Sequence, residues 1–139
     1  MEISLERFVN SLDFEHYNYY YHETGEGKAA DILIDGLLIE GTNILGVDNI
    51  LFTTVRPFLP EDADEIDDLV ESERSSPGVL REVSEMVILE VEKGKEKDIV
   101  DPSGVYGYEG RVSSKYVKGY IDMDRKTFIV NVYANYYDR

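Results

Sequence analysis

Residues 115–137 read KYVKGYIDMDRKTFIVNVYANYY and contain the most regular pattern in the chain. From 127 to 136 the side chains alternate between two sets rich in β-branched and aromatic residues, which is typical of a β-strand. A polar turn at 122–126 separates this strand from a shorter alternating run at 116–121, so the sequence predicts an antiparallel hairpin. Because large side chains occur in both sets, we expect the last strand to be central and covered on both faces.

The rest of the chain contains further short segments of secondary structure. Ser4 can cap a helix that runs to about Leu12, with Leu5 and Phe8 on its apolar face. Asp35–Gly36 predicts a tight turn between two strands or, as an alternative, a bulge within one longer strand. The predicted strands cover residues 14–23, 30–34, 37–39, 50–55, 86–91 and 105–113.

These segments predict a single domain over residues 1–139, because the chain is 42% apolar and long enough to bury a core. The fold class that they indicate is α+β. We expect a twisted, mostly antiparallel sheet of about five to seven strands, with one or two short helices packed on it. A further helix, rich in acidic residues, is expected at the edge of the sheet.

The acidity of the chain is concentrated in one segment. The net charge is −15, and residues 60–79 alone hold eight acidic side chains and one basic side chain. Such a segment repels phosphate groups, so direct binding to DNA, RNA or an anionic membrane is disfavoured. A partner with a basic surface is favoured instead, although the same charge also serves solubility.

The acidic segment has a helical pattern. Its narrow apolar stripe consists of Ala63, Ile66, Leu69 and Val70. Asp62, followed by Glu65 three residues later, resembles a capping box. A helix over residues 61–73 would be about 20 Å long at ~1.5 Å per residue. Its eight carboxylates would then amount to one per about 2.4 Å of helix axis, close to the ~1.7 Å per charge of duplex DNA.

Two interpretations of these acids stay open. They can form a partner-binding surface, or they can belong to a solvated helix whose early acids complement the helix dipole. The acids predicted to bind a partner are Asp62, Asp64, Glu65, Asp67, Asp68 and Glu71.

Tyrosines are the second candidate feature, since the chain contains eleven of them. Tyr17, Tyr19 and Tyr21 would share one face of a strand and are predicted to bind a partner, because exposed tyrosines are good interface anchors. They could equally line a small-ligand pocket in a curved sheet. The third interpretation is that they are half-buried sheet residues with hydrated hydroxyl groups.

Other chemistry finds little support in the sequence. The chain has no cysteine, which excludes disulfides, thiolate catalysis and cysteine-ligated zinc. The spacing of His16 and His22 does not let them bind one metal together, although one could act as a general base with a distant carboxylate. The acids at 62–68 lack the ligand pattern of a calcium loop, and the segment 25–28 lacks the spacing of a phosphate loop. We therefore expect no catalytic residue, metal or cofactor.

The function that we expect is binding rather than catalysis. The chain would be a non-enzymatic, acidic interaction or inhibitor protein that binds a basic protein, such as a nucleic-acid-binding enzyme. In the sharpest version it mimics nucleic acid, by analogy in charge and size with phage or mobile-element antagonists. One alternative is a small-molecule-binding domain that uses the tyrosine-lined face, and another is an enzyme that uses carboxylates with one histidine.

Two further expectations concern location and assembly. The segment 1–7 has no basic start followed by an apolar run, and no long apolar stretch occurs elsewhere, so we expect a cytoplasmic protein without membrane contact. Exposed tyrosines would also allow a homodimer.

Overall fold

The computed structural model describes residues 1–39, 55–74, 83–95 and 110–134. A short 3-10 turn at Ser114–Tyr116 precedes the C-terminal hairpin. In chain order the helices and strands are β1 (Glu2–Ser4), α1 (Leu5–Asn10), β2 (Tyr17–Thr24), α2 (Lys28–Asp35), β3 (Leu37–Ile39), β4 (Arg56–Phe58), α3 (Pro60–Asp64), α4 (Ile66–Arg74), β5 (Glu85–Glu92), β6 (Gly110–Val112), β7 (Val117–Asp122) and β8 (Thr127–Val130).

Six of the strands form one antiparallel sheet in the order β1-β8-β7-β5-β2-β4. The strands β3 and β6 pair separately, also antiparallel, as a small second sheet. Four helices pack on the larger sheet, which is twisted and not closed into a barrel. The predicted α+β class, with an antiparallel sheet of five to seven strands, is therefore confirmed.

The predicted C-terminal hairpin is formed by β7 and β8, in which Ile121 lies opposite Phe128. The Asp122 carboxylate accepts two backbone N–H groups of the connecting turn, both at 3.1 Å. As expected, β8 has a partner strand on each side, β1 and β7. The strand is shorter than predicted and ends at Val130. The backbone N–H of Asn131 still donates to the Lys118 carbonyl oxygen at 2.9 Å, while its side chain donates to the carbonyl oxygens of Leu33 and Val117 at 3.2 and 2.9 Å.

The two faces of the large sheet have separate cores. On one face, α1 and α4 cover the sheet, and the Phe8 ring stacks on the Phe128 ring with centroids 4.2 Å apart. The Ser4 hydroxyl accepts from the backbone N–H of Arg7, which confirms the predicted cap of α1. On the other face, α2 packs its Leu33 side chain among residues of β5 and β7.

The segment 30–34 was predicted as a strand and is instead part of the helix α2. Ala29 and Leu33 are both buried, and their i, i+4 spacing puts them on the same face of the helix. Gly36 ends this helix with a φ of +82°, and its N–H donates to the Ile32 carbonyl oxygen at 2.9 Å. A glycine with positive φ serves a helix C-terminus as well as a tight hairpin, so the Asp-Gly signal was compatible with both structures.

The other strand predictions have mixed outcomes. The strand predicted for 86–91 is confirmed as β5, whereas β2 begins at Tyr17 and not at 14, because residues 14–16 form a turn. Pro57 lies within β4, where an edge strand tolerates a residue without an N–H. Residues 50–54, 105–109 and 135–136 of the predicted strands lie outside the described residues.

Candidate functional site

The acidic segment forms two helices rather than one. The break occurs at Glu65, whose φ of −119° and ψ of 41° are not helical. The first helix, α3, begins with Pro60, and its Asp62 carboxylate accepts from the backbone N–H of Leu59 at 2.8 Å. Asp62 is thus the third residue of α3 and not its cap, so the predicted Asp62–Glu65 capping box is wrong.

The predicted apolar stripe of this segment is confirmed. Ala63, Ile66 and Val70 are buried against the sheet, and Leu69 is partly buried beside them. Because these side chains dock the segment, most of its acids point to solvent. The exposed acids of α3, the break and α4 are Glu61, Asp64, Glu65, Asp67, Asp68 and Glu71.

These acids differ in their contacts within the described residues. Glu71 binds Lys126 at 2.8 Å, and this hydrogen bond holds the pKa of Glu71 below its usual range. The neighbouring Arg74 binds Asp124 at 2.9 Å, so two ion pairs connect α4 to the β7–β8 turn. The Asp62 carboxylate is used by the N-terminus of α3. In contrast, no described residue forms a hydrogen bond or ion pair with the side chains of Asp64, Glu65, Asp67 and Asp68, although the charge of Asp67 acts on Lys126 from a longer distance.

A second group of acids lies between α4 and the sheet. Glu73, in the last turn of α4, meets Glu23 of β2, and their side chains are only 17% and 15% exposed. Arg56 of β4 contributes the cation, with its Nη1 atom 3.5 Å from Glu73 Oε2 and 3.7 Å from Glu23 Oε1. The Tyr21 hydroxyl donates to Glu73 Oε1 at 3.3 Å. We call these four residues the inner carboxyl cluster.

The inner carboxyl cluster favours a bound proton. Glu23 Oε1 is buried and has no hydrogen-bond partner. Burial first, and then the neighbouring Glu73, raise the pKa of Glu23 to about 8, while Arg56 acts in the opposite direction. Burial likewise raises the pKa of Tyr21 to about 12, so its hydroxyl stays neutral at ordinary pH.

This cluster was not among the sequence-based predictions, although the sequence holds a signal for it. Glu23 follows Tyr19 and Tyr21 at a spacing of two, so it must lie on the same face of β2. Glu73 follows Val70 at a spacing of three, so it must lie near the buried face of α4. Both carboxylates could therefore have been assigned to an interior face, but not to each other.

The three predicted tyrosines share one face of β2, but that face is the core beneath α1 and α4. Tyr19 and Tyr21 are only 2% and 7% exposed, and Tyr17 is half-buried. The Tyr19 hydroxyl donates to Glu90 at 2.6 Å, and burial, followed by this hydrogen bond, raises the pKa of Tyr19. The rings of Tyr19 and Tyr21 are therefore not accessible to a partner, and their packing does not favour a tyrosine-lined ligand pocket.

The two histidines lie in different environments. His16 is exposed in the turn before β2, where its Nδ1 is 2.8 Å from the Asp13 carboxylate. His22 is buried on β2, one residue from Glu23 and therefore on the opposite face of the strand. Neither position places an imidazole in the inner carboxyl cluster.

Asp13 and His16, together with Glu15, offer ligand atoms within 4.8 Å of one another. The Asp13 carboxylate is already used, because one oxygen accepts from the backbone N–H groups of Glu15 and His16 and the other contacts the imidazole. These hydrogen bonds within the turn before β2 explain why the three side chains lie close together. The expectation of no metal site remains a prediction.

No helix in the described part of the chain is long and apolar enough to cross a bilayer. Comparisons with protein-family models, with curated proteins and with solved structures find no match to this chain.

Proposed function

We propose that this chain is a non-enzymatic interaction protein whose acidic helices bind a basic surface of a partner protein. The observation that carries the proposal is the set of four exposed carboxylates that no described residue pairs with. They are Asp64, Glu65, Asp67 and Asp68. Unpaired charges of one sign on one surface attract an oppositely charged partner over about 8 Å at physiological ionic strength.

The way in which the helices are held supports this proposal. Ile66 and Val70 are buried in the core, and the Glu71–Lys126 and Arg74–Asp124 ion pairs connect α4 to the hairpin turn. The four free carboxylates are therefore presented on a fixed scaffold. A pre-organised surface loses less conformational entropy on binding, which favours recognition of one arrangement of basic groups.

The sharper form of the proposal is mimicry of nucleic acid. The partner would be a nucleic-acid-binding enzyme in the cytoplasm, and this protein would inhibit it by occupying the basic groove. The support is the group of exposed acids in this short segment, because closely spaced negative charges are what a basic nucleic-acid groove binds. The mimicry proposal does not include the tyrosines as binding residues, because the rings of Tyr19 and Tyr21 are buried.

The experiment is a capture assay with two variants of equal charge. The purified chain is immobilised, a nuclease-treated lysate is passed over it, and retained proteins are eluted with salt and identified by mass spectrometry. The test variant carries D64N, E65Q, D67N and D68N. The control variant loses the same number of charges at scattered exposed positions, namely E6Q, E15Q, E26Q and D31N.

Three results together would support the proposal. The retained protein binds nucleic acid, the control variant retains it and the test variant does not, and duplex DNA displaces it. Retention should also fall steeply as salt is raised, because each charge pair at a surface is screened. Equal retention by both variants would contradict a role for the acidic helices. Retention that duplex DNA leaves unchanged would contradict the mimicry while allowing another basic partner.

A further inference from the structure

The inner carboxyl cluster joins two layers of the protein. Glu23 belongs to the sheet, and Glu73 belongs to the last turn of α4, so their contact is part of the attachment of the acidic helix. Among the described residues the charged or titratable groups that face the pair are Arg56 of β4 and Tyr21 of β2. The residue of β5 that lies opposite Glu23 is Met86, which is apolar.

The charges in this cluster do not balance when both carboxyl groups are ionised. Two carboxylates face one guanidinium, and the Arg56 side chain is 42% exposed, so water weakens its attraction for them. Both contacts of Arg56 are long for a charge-assisted hydrogen bond, which is about 2.7–2.9 Å. One negative charge would remain in a mostly buried site, where desolvation is costly.

A single proton removes both difficulties. When one carboxyl group is protonated, the cluster contains one carboxylate and one guanidinium, and it is neutral. The proton also supplies a donor between the two acids, whose oxygens lie 3.7 and 3.5 Å from the same Arg56 nitrogen. Two carboxyl groups in contact are a recognised arrangement for sharing one proton, because both cannot easily ionise.

We infer that Glu23 and Glu73 share one proton in the folded protein and that loss of this proton loosens the last turn of α4 from the sheet. The repulsion acts on Glu73, whereas Ile66 and Val70 still hold the start and middle of the helix in the core. The expected opening is therefore confined to residues 71–74. The proposed binding carboxylates at 64–68 lie outside this opening, so the inference does not rest on the proposed function.

The experiment follows the proton and the helix separately. Carbon-13 labelling of glutamate side chains allows each carboxyl group to be titrated by NMR in the wild type, in E23Q and in E73Q. Amide hydrogen exchange of residues 71–74, corrected for intrinsic exchange rates, is measured across the same pH range. The control is E61Q, which changes an exposed glutamate of the acidic segment outside residues 71–74.

We expect one carboxyl group of the pair to titrate above pH 7 in the wild type and in E61Q. In E73Q the remaining Glu23 should titrate at least about one pH unit lower, since its like-charged neighbour is gone. Protection of the amides of residues 71–74 from hydrogen exchange should fall about tenfold between pH 6 and pH 9 in the wild type and less than about twofold in E23Q. A tenfold change corresponds to about 1.4 kcal/mol.

Titration of both groups below about pH 5.5, close to ordinary glutamate values, would overturn the shared proton. An equal loss of protection in E23Q and the wild type would overturn the loosening. No partner enters these measurements, so they separate this inference from the proposed binding function.

Discussion

Raising the pH from 6 to 9 should lower the free energy of unfolding of the wild-type protein, and the E23Q substitution should remove most of this dependence. The folded protein holds the pKa of Glu23 near 8, mainly through burial, whereas the ordinary value is 4.5. At pH 6 the folded state therefore keeps a proton that the unfolded chain has already released. The stabilisation is complete below the unfolded pKa and is lost as the pH rises through the folded pKa.

The size of the effect follows from proton linkage. Each pH unit over which the folded state holds one more proton than the unfolded state changes the free energy of unfolding by about 1.4 kcal/mol. With a folded pKa of about 8, the loss between pH 6 and pH 9 is about 3 kcal/mol. A folded pKa one unit lower would reduce the loss to about 1 kcal/mol. Water reaches the cluster at the partly exposed Arg56, so the lower half of this range is the better expectation.

The assay is urea denaturation followed by circular dichroism at constant ionic strength, in half-unit steps of pH. E23Q retains both histidines, so any contribution from their titration appears equally in the wild type and the variant. The raised pKa values of Tyr21 and Lys126 lie above this window, and the lowered pKa of Glu71 lies below it. A wild-type curve that is flat to within about 0.5 kcal/mol would refute the reasoning, as would an equal slope in E23Q.

Three core substitutions should change stability by amounts that the same denaturation assay can measure. Phe8→Ala should cost about 3–5 kcal/mol, because the ring is fully buried and stacked on Phe128, and a loss below about 1.5 kcal/mol would mean that α1 is not docked as described. Tyr19→Phe should cost about 1–3 kcal/mol by removing the hydroxyl that donates to a carboxylate of β5, and an unchanged stability would contradict that hydrogen bond. Gly36→Ala should destabilise the protein more than Gly27→Ala, although both glycines have a φ of +82°, because only at Gly36 would the new methyl group collide with the backbone of β6. Equal losses at the two glycines would contradict that close approach.

The sequence correctly predicted those parts of the fold that are formed by residues close together in the chain. The β7–β8 hairpin needs only two alternating runs and a polar turn, and all of this lies within residues 116–130. The acidic helices needed only a stripe at helical spacing, which correctly predicted that Ile66 and Val70 are buried. In each case the pattern and the structure that it specifies are local.

Prediction was harder where contacts between distant parts of the chain determine the secondary structure or the burial of a residue. The segment that became α2 carries both a helical spacing and an Asp-Gly signal, and packing of Leu33 against β5 and β7 selects the helix. The exposure of Tyr19 and Tyr21 depends on which face of β2 is covered by α1 and α4. The contact of Glu23 with Glu73 spans fifty positions in sequence, so no local pattern could pair them.

The helix dipole accounts for some of the acids of the proposed surface but not for all of them. Asp67 and Asp68 lie in the first turn of α4, where negative charge is stabilising, so a purely structural role explains them well. Glu65 directly precedes α4, and its carbonyl oxygen accepts from the backbone N–H of Leu69 at 3.0 Å, so the dipole of α4 favours this carboxylate as well. Asp64 is the last residue of α3, where the dipole of that helix favours cations, and it has no described cation as a partner. Asp64 therefore carries no benefit for the fold that the described contacts reveal, although solubility is served by acids at any exposed position. The proposal of a basic partner depends on Asp64 more than on the rest of the segment.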